Sequence, residues 1–291
     1  MIRHNRECSA RNCKHLSRGG SGLADSNVGS GAGLKGGVTG PIIELRGVTK
    51  SYGAVAALKG IDFEVRAGEV VGLVGDNGAG KSTLMKVVVG AIQPDDGEIL
   101  VDGSHVHFAT TRDSRKRGIE MLFQDLALCD DLDVAVNFYL GRAPTQFGLV
   151  RIRRMHALAR EKLEELGIRL PSTRSPVRFL SGGQRQSLAI ARAVSFKPRV
   201  LILDEPTAAL GVQQSKVVLE LVRNVRTTNT SVVFISHRLR DVLDVCDRIV
   251  VIYEGKQVAN LLSADTSLEE VVTYIVSDPD ATRPSARVSS E

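Results

Sequence analysis

Val70-Val71-Gly72-Leu73-Val74-Gly75-Asp76-Asn77-Gly78-Ala79-Gly80-Lys81-Ser82 is the stretch that decides the fold. It opens on a continuous apolar run, the pattern of a strand buried on both faces. A glycine-rich turn ending in Lys-Ser follows, and from Ser82 to Val89 the pattern is helical. Strand, glycine-rich loop and helix in that order make a phosphate-binding loop. Its small residues let backbone N–H groups converge on a polyphosphate, and the helix N-terminus adds favourable dipole charge. Gly75, Asp76, Asn77, Gly78, Ala79 and Gly80 are expected to form the cradle. Lys81 should reach the β- and γ-phosphates, Ser82 should ligate Mg²⁺, and Thr83 should assist on the α-phosphate side.

Two further segments fit that chemistry. Val200-Leu201-Ile202-Leu203 is a second buried-strand pattern, and it ends in Asp204-Glu205-Pro206. A carboxylate at a strand's C-terminus beside a phosphate loop can hold Mg²⁺, directly or through water, which is the role expected of Asp204. Glu205 can diverge from it in the turn and serve as general base or water-positioning group. Leu180-Ser181-Gly182-Gly183-Gln184 precedes a helical pattern from Arg185 to Val194 and forms a second anion site at a helix N-terminus. One chain needs only one phosphate loop, so this second site calls for a second nucleotide. Head-to-tail pairing of two domains resolves the mismatch, with Ser181 and Gly183 meeting the γ-phosphate bound on the partner.

The bulk composition sets limits. The chain has 291 residues, 43% of them hydrophobic, no Trp, a net charge of +5 and a pI near 9.1. Such basicity invites a nucleic-acid reading. However, six basic residues against two acidic ones in residues 1–40 supply four of the five net charges. The body is nearly neutral, so no nucleic-acid partner is expected. Cys8, Cys13, Cys129 and Cys246 show no secreted-framework spacing, and a reducing compartment fits. Cys8 and Cys13 lie near His4 and His15, but at no usual zinc spacing. The sequence has no apolar run of the roughly 20 residues a membrane helix needs, and no signal core. A cytoplasmic chain, reaching a membrane only through a partner, is expected.

Residues 1–40 read as a disordered, basic Gly/Ser-rich tail, with Val38 an alternative start and anionic lipid an alternative target. The ordered domain is expected over residues 41–277, and residues 278–291 as a second disordered tail. Ile42–Arg46, Ile61–Val65 and Ser231–Ile235 read as strands, 98–108 as a strand or hairpin turning at Asp102-Gly103, and 248–259 as a closing hairpin. Helices are expected over Arg153–Leu166, Val212 to about Thr227, and Ser267–Val276, the last capped by Ser267. Residues from about 125 to 190 look like a helical insert between two halves of an α/β core.

The phosphate loop and Leu180–Gln184 together resemble the ATP-binding cassette (ABC) family, the ATPase subunits of membrane transporters. The likeness covers about residues 42–260. It implies an α/β P-loop NTPase fold with a mixed RecA-like core, an antiparallel β region and a helical subdomain. By this resemblance Gln124 is the Q-loop glutamine at the metal and attacking water, His237 the switch histidine at the γ-phosphate, and Tyr52 the ring stacked on adenine. ATP and Mg²⁺ are the implied cofactors. The implied partners are an integral membrane permease, a second ATP-binding domain and, indirectly, a sugar-binding protein. Asn137–Arg142, Ser236–Leu239 and Thr207–Val212 look like the ribose/fructose/xylose branch of bacterial sugar importers. Gly211 stands where the wider family usually has Asp. Leu126, Leu128, Leu132, Phe138 and Tyr139 offer apolar anchors for docking or for the core. The expected role is ATP hydrolysis coupled to uptake of a small carbohydrate, at the inner face of the membrane. A soluble ABC ATPase acting on ribosome or nucleic acid is the alternative. Only 100 residues separate Lys81 from Ser181, too few for the coiled coil of DNA-repair and chromosome relatives. A third reading, an ATP-sensing subunit without catalysis, has only Gly211 in its favour against Lys81, Asp204, Glu205 and His237.

Overall fold

The structure is a computed structural model that describes residues 40–227 and 229–277. The expected tails, with Cys8, Cys13 and their histidines, lie outside the described residues. In chain order the elements are β1 (Ile43–Tyr52), β2 (Val55–Val65), β3 (Val70–Val74), α1 (Lys81–Val88), β4 (Asp96–Val101), β5 (Ser104–His105) and α2 (Thr111–Lys116). Next come β6 (Ile119–Leu122), α3 (Val134–Phe138), β7 (Thr145–Gln146), β8 (Leu149–Val150), α4 (Ile152–Glu165) and α5 (Gly182–Ser195). The remainder is β9 (Val200–Asp204), α6 (Val212–Thr227), β10 (Ser231–Ile235), α7 (Leu239–Val245), β11 (Arg248–Tyr253), β12 (Lys256–Leu262) and α8 (Leu268–Val276).

A six-stranded sheet runs β12-β11-β3-β10-β9-β6, parallel except for the antiparallel edge strand β12. Alternation along its strands builds a core on each face. Val70, Leu201, Leu203, Val232, Phe234 and Val251 join the core that includes α5, α6 and α7. Val71, Leu73, Ile202, Val233, Ile235 and Ile252 join α1 and the second sheet. The interiors of these strands are apolar because each residue there meets a core on whichever face it points to. Gly72 serves close packing, since a Cβ there would stand 2.5 Å from Cγ1 of Val242 on α7.

The second sheet is antiparallel, in the order β2-β1-β4-β5. Its β4–β5 turn is the expected Asp102-Gly103, both at positive φ (51° and 72°). Arg248 on β11 is buried and ties the layers together: it donates to both carboxylate oxygens of Glu69 (2.6 and 3.0 Å), to Glu64 O and to Asn260 Oδ1. Burial alone would raise the Glu69 carboxyl, but these hydrogen bonds outweigh it and hold the group below the usual range.

α3 packs on α4 and α5 in the segment between β6 and β9. Phe138 is fully buried, Leu126, Leu128 and Tyr139 are partly buried against the same core, and Leu132 and Leu140 are exposed. α5 begins at Gly182 rather than Arg185, because Ser181 and Gln184 form a reciprocal capping box. Among the described residues no helix is long and apolar enough to cross a membrane.

Candidate active site

Four of the predicted groups sit at the carboxyl ends of neighbouring parallel strands. The glycine-rich loop leaves β3, Gln124 follows β6, Asp204 ends β9, and His237 follows β10. Crevices at the carboxyl ends of parallel strands are where open α/β sheets bind ligands. A cleft of about 210 Å³ opens there, lined by Asn77, Gly78, Ala79, Gly80, Lys81, Ser82, Thr83, Gln124, Asp204 and Glu205. Residues separated by more than a hundred positions in sequence thus share one cavity.

Gly75 makes the loop possible. Its φ is 150°, and a Cβ would lie 2.1 Å from the carbonyl oxygen of Ile252 on β11. The loop then folds back over its own lysine: Lys81 Nζ donates to the carbonyls of Gly75 and Asp76, each at 2.9 Å. Burial lowers the pKa of this ammonium, against the opposing pull of Glu205, Asp204 and Asp76. Asp76 accepts from the N–H of Asn77 at 2.7 Å, which fixes the turn.

Asp204 has its pKa raised, first by burial and then by the neighbouring Glu205 carboxylate. A hydrogen bond from Ser82 and the charges of Lys81 and Lys86 offset this in part. Glu205 occupies a left-handed backbone conformation, φ 51°, with its N–H donating to Ile235 O at 3.0 Å. Non-glycine residues held there store strain and concentrate at functional sites. The Glu205 carboxylate reaches His237, whose backbone N–H donates to Oε1 at 3.0 Å. His237 Nδ1 lies 2.8 Å from Oε2 but off the axis of a hydrogen bond, which leaves Oε2 buried without a hydrogen-bond partner. Glu205 also lines the cleft, where a carboxylate can act as a base toward water.

Other predicted residues lie apart from this cavity. Tyr52, at the end of β1, is 49% exposed, with Lys50 Nζ 6.0 Å from its ring centroid. Ser181, Gly182, Gly183 and Gln184 cap α5 and are not among the residues lining the cleft. Ser181, Gly183 and Gln184 line a separate hollow with Ile168, Leu170 and Val217.

One cluster escapes sequence reasoning. Arg238 donates to Thr207 O (3.0 Å) and to Ser215 Oγ (2.8 Å), and Thr207 Oγ1 donates to Asp241 Oδ2 (2.8 Å). It clamps the segment after Glu205 to the segment after His237. The partners are more than twenty residues apart in the chain, so no local pattern announces them.

The ABC transporter family model matches residues 58–208. The xylose/arabinose import ATP-binding protein XylG of Sulfolobus acidocaldarius is 42% identical over 81% of this chain and 94% of its own length. The fructose import ATP-binding protein FrcA of Rhizobium meliloti is 41% identical, with the same shares covered. A ribose import ATP-binding protein, RbsA 1, of Rubrobacter xylanophilus is 44% identical over 81% of this chain, which spans 47% of that protein. Among solved structures, an ATP-binding cassette dimer in a post-hydrolysis state bound to ADP and Pi aligns with a TM-score of 0.66 at 25% identity, covering 76% of this chain and 98% of that one. The cbiO1 subunit of an ABC transporter complex from Clostridium perfringens gives 0.70 at 27% identity, covering 80% and 92%.

Proposed function

The chain belongs to the ABC transporter family, and we propose that it drives uptake of a small carbohydrate through a membrane permease. It binds nucleotide and is an ATPase. The observation that carries the importer reading is the match across 94% of the length of a xylose/arabinose import ATP-binding protein. In this reading the chain sits on the inner face of the membrane, a second ATP-binding domain completes each site, and a sugar-binding protein supplies the permease. Residues 41–277 form the ATPase domain, with about 125–190 as its helical subdomain. The groove of about 220 Å³ containing Leu126, Leu140, Arg142 and Phe196 receives the permease. No observation favours the ribosome or nucleic-acid alternative.

The following roles are proposed for the predicted site residues. Loop amides from Gly75 to Gly80 and the Lys81 ammonium take the phosphates, Thr83 the α-phosphate side, and Tyr52 stacks on adenine. The donor set suits Mg²⁺: the Ser82 hydroxyl, the Gln124 amide and the adjacent carboxylates of Asp204 and Glu205 line one cleft and supply oxygen ligands. Ser82, Gln124 and Asp204 would hold the ion, which when bound neutralises charge on the transferring phosphoryl group. Glu205, which lines the cleft beside Asp204, accepts a proton from the attacking water. His237, held against Glu205, contacts the γ-phosphate. Ser181, Gly182, Gly183 and Gln184 offer a helix N-terminus to the γ-phosphate on the partner domain.

Glu205→Gln should lower turnover by about 10²–10⁴-fold and leave ATP binding intact, since it removes a base and not a phosphate ligand. With ATP and Mg²⁺ this variant should retain a multi-span membrane protein when solubilised membranes are passed over it. Turnover within threefold of wild type would remove Glu205 from its role. Recovery of ribosomal proteins with no permease would overturn the importer reading.

A further inference from the structure

A hairpin at the rim of the permease groove has features that neither the fold nor the ATPase site uses. Arg142, which lines the groove and stacks 4.1 Å over the ring of Phe196, comes just before it. β7 and β8 pair through Thr145↔Val150 and Gln146↔Leu149, and Arg151 N–H donates to Pro144 O at 3.1 Å to close the base. At the tip Phe147 is 95% exposed, and Leu149 and Ile152 beside it are 75% and 61% exposed. Phe147 has φ 52° and Gly148 φ 78°, so an aromatic residue fills a left-handed turn position that Asn or Gly normally takes. A strained backbone that presents an apolar ring to water is a cost with no return inside the fold.

The charge around the tip is one-sided. From Val134 to Arg160 the chain has five arginines and no Asp or Glu. Arg151, Arg153 and Arg154 stand at the start of α4, where the helix dipole disfavours cations and no acidic residue occupies the first turn. Arg151 donates to Gln146, and among the described residues no carboxylate pairs with Arg153 or Arg154.

We propose that this hairpin is a membrane contact that places Phe147, Leu149 and Ile152 in the headgroup region of an anionic bilayer, with Arg151, Arg153 and Arg154 on the phosphates. An exposed apolar tip followed directly by three exposed arginines is a composition that binds an interface. A second copy would set arginine against arginine. The cytosolic loops of a permease carry an excess of Lys and Arg, which disfavours them as the occupant. The proximity of a bilayer rests on the importer reading; the lipid contact itself does not need the permease.

The chain has no tryptophan, so Phe147→Trp gives a single reporter at the tip. The full-length variant is mixed with vesicles of phosphatidylcholine alone, or of phosphatidylcholine with phosphatidylglycerol, each with and without brominated acyl chains. A blue shift and bromine quenching are expected with the anionic vesicles only. Added Arg153→Gln and Arg154→Gln should each weaken partition about fivefold. Added Leu149→Ser should weaken it with no change of charge. Vesicle flotation with tryptophan emission unchanged would mean binding through the basic N-terminal segment and would overturn the proposal. A shift only when permease is reconstituted in phosphatidylcholine vesicles would assign the tip to a protein surface, with the same consequence. A shift that follows protein concentration without lipid would assign it to a second copy. ATP hydrolysis in solution, read on the same samples, tests the ATPase roles separately.

Discussion

Asp204 and Glu205 are adjacent carboxylates at one cleft, and their proximity has an energetic consequence that can be measured. Burial, then Glu205, raises the Asp204 pKa, so the folded protein binds that proton more tightly than the unfolded chain does. Stability from this group is therefore fully present below the ordinary carboxylate pKa and is lost as pH rises through the raised one. Asp204→Asn carries no charge at any pH. Ligand-free Asp204→Asn should unfold at a higher temperature than wild type at neutral pH, and the gap should close in acid. The same variant should lose hydrolysis by roughly a hundredfold or more, because the carboxylate is the only charged group in the proposed metal set. Thermal unfolding across pH, paired with phosphate release, checks both halves. Equal unfolding temperatures at neutral pH would show that the Asp204 charge is already compensated without nucleotide.

At the scale of elements, the strands that were legible are those buried on both faces. Val70–Val74, Val200–Leu203 and Ser231–Ile235 announce themselves because nearly every residue in them faces a core and is apolar, the buried Ser231 being hydrogen-bonded to Gly68 and Arg66. The long β1–β2 hairpin was visible only at its outer ends, since its exposed positions and register shifts break the alternation. β6 is four residues long and includes a glutamate, so its place comes from pairing with β9 and not from its own pattern. α7 and the β7–β8 hairpin are short and were likewise unread. The start of α6 carries a prediction. Ser215 N–H donates to Gly211 O at 2.9 Å, which makes Gly211 the residue that opens the helix. Its φ is not left-handed, and a Cβ there would meet nothing within 4 Å. Gly211→Asp should therefore fit without strain, supply the missing side-chain acceptor, and add a few tenths of a kcal/mol, about 0.3, in urea unfolding. Because the segment after Glu205 is clamped to that after His237 by Arg238, the carboxylate should also steepen the dependence of hydrolysis on ATP. A destabilised Gly211→Asp variant would mean that the glycine is needed for its conformation after all.

For the whole molecule, the decisive fact is what the cleft lacks. Its lining contains the phosphate loop, Gln124, Asp204 and Glu205, but not Ser181 or Gly183, which cap a helix elsewhere in the same chain. Ser181 is exposed, so its hydroxyl is open to a second molecule. If each site is built from two chains, two differently damaged chains should repair one another. Lys81→Ala damages the cleft and leaves Ser181 intact, whereas Ser181→Arg blocks the capping segment and leaves the cleft intact. Each variant alone should be nearly inactive. In an equal mixture with random pairing, half the dimers are mixed, and each mixed dimer holds one undamaged composite site, so about a quarter of wild-type hydrolysis should return. Recovery should grow with protein concentration, because it requires association. The readout is phosphate release from the pure variants and their mixture at several concentrations. A Ser181→Arg variant that hydrolyses ATP on its own would remove Ser181, Gly182, Gly183 and Gln184 from the site, and a mixture no more active than the mean of two inactive components would show that no composite site forms between chains.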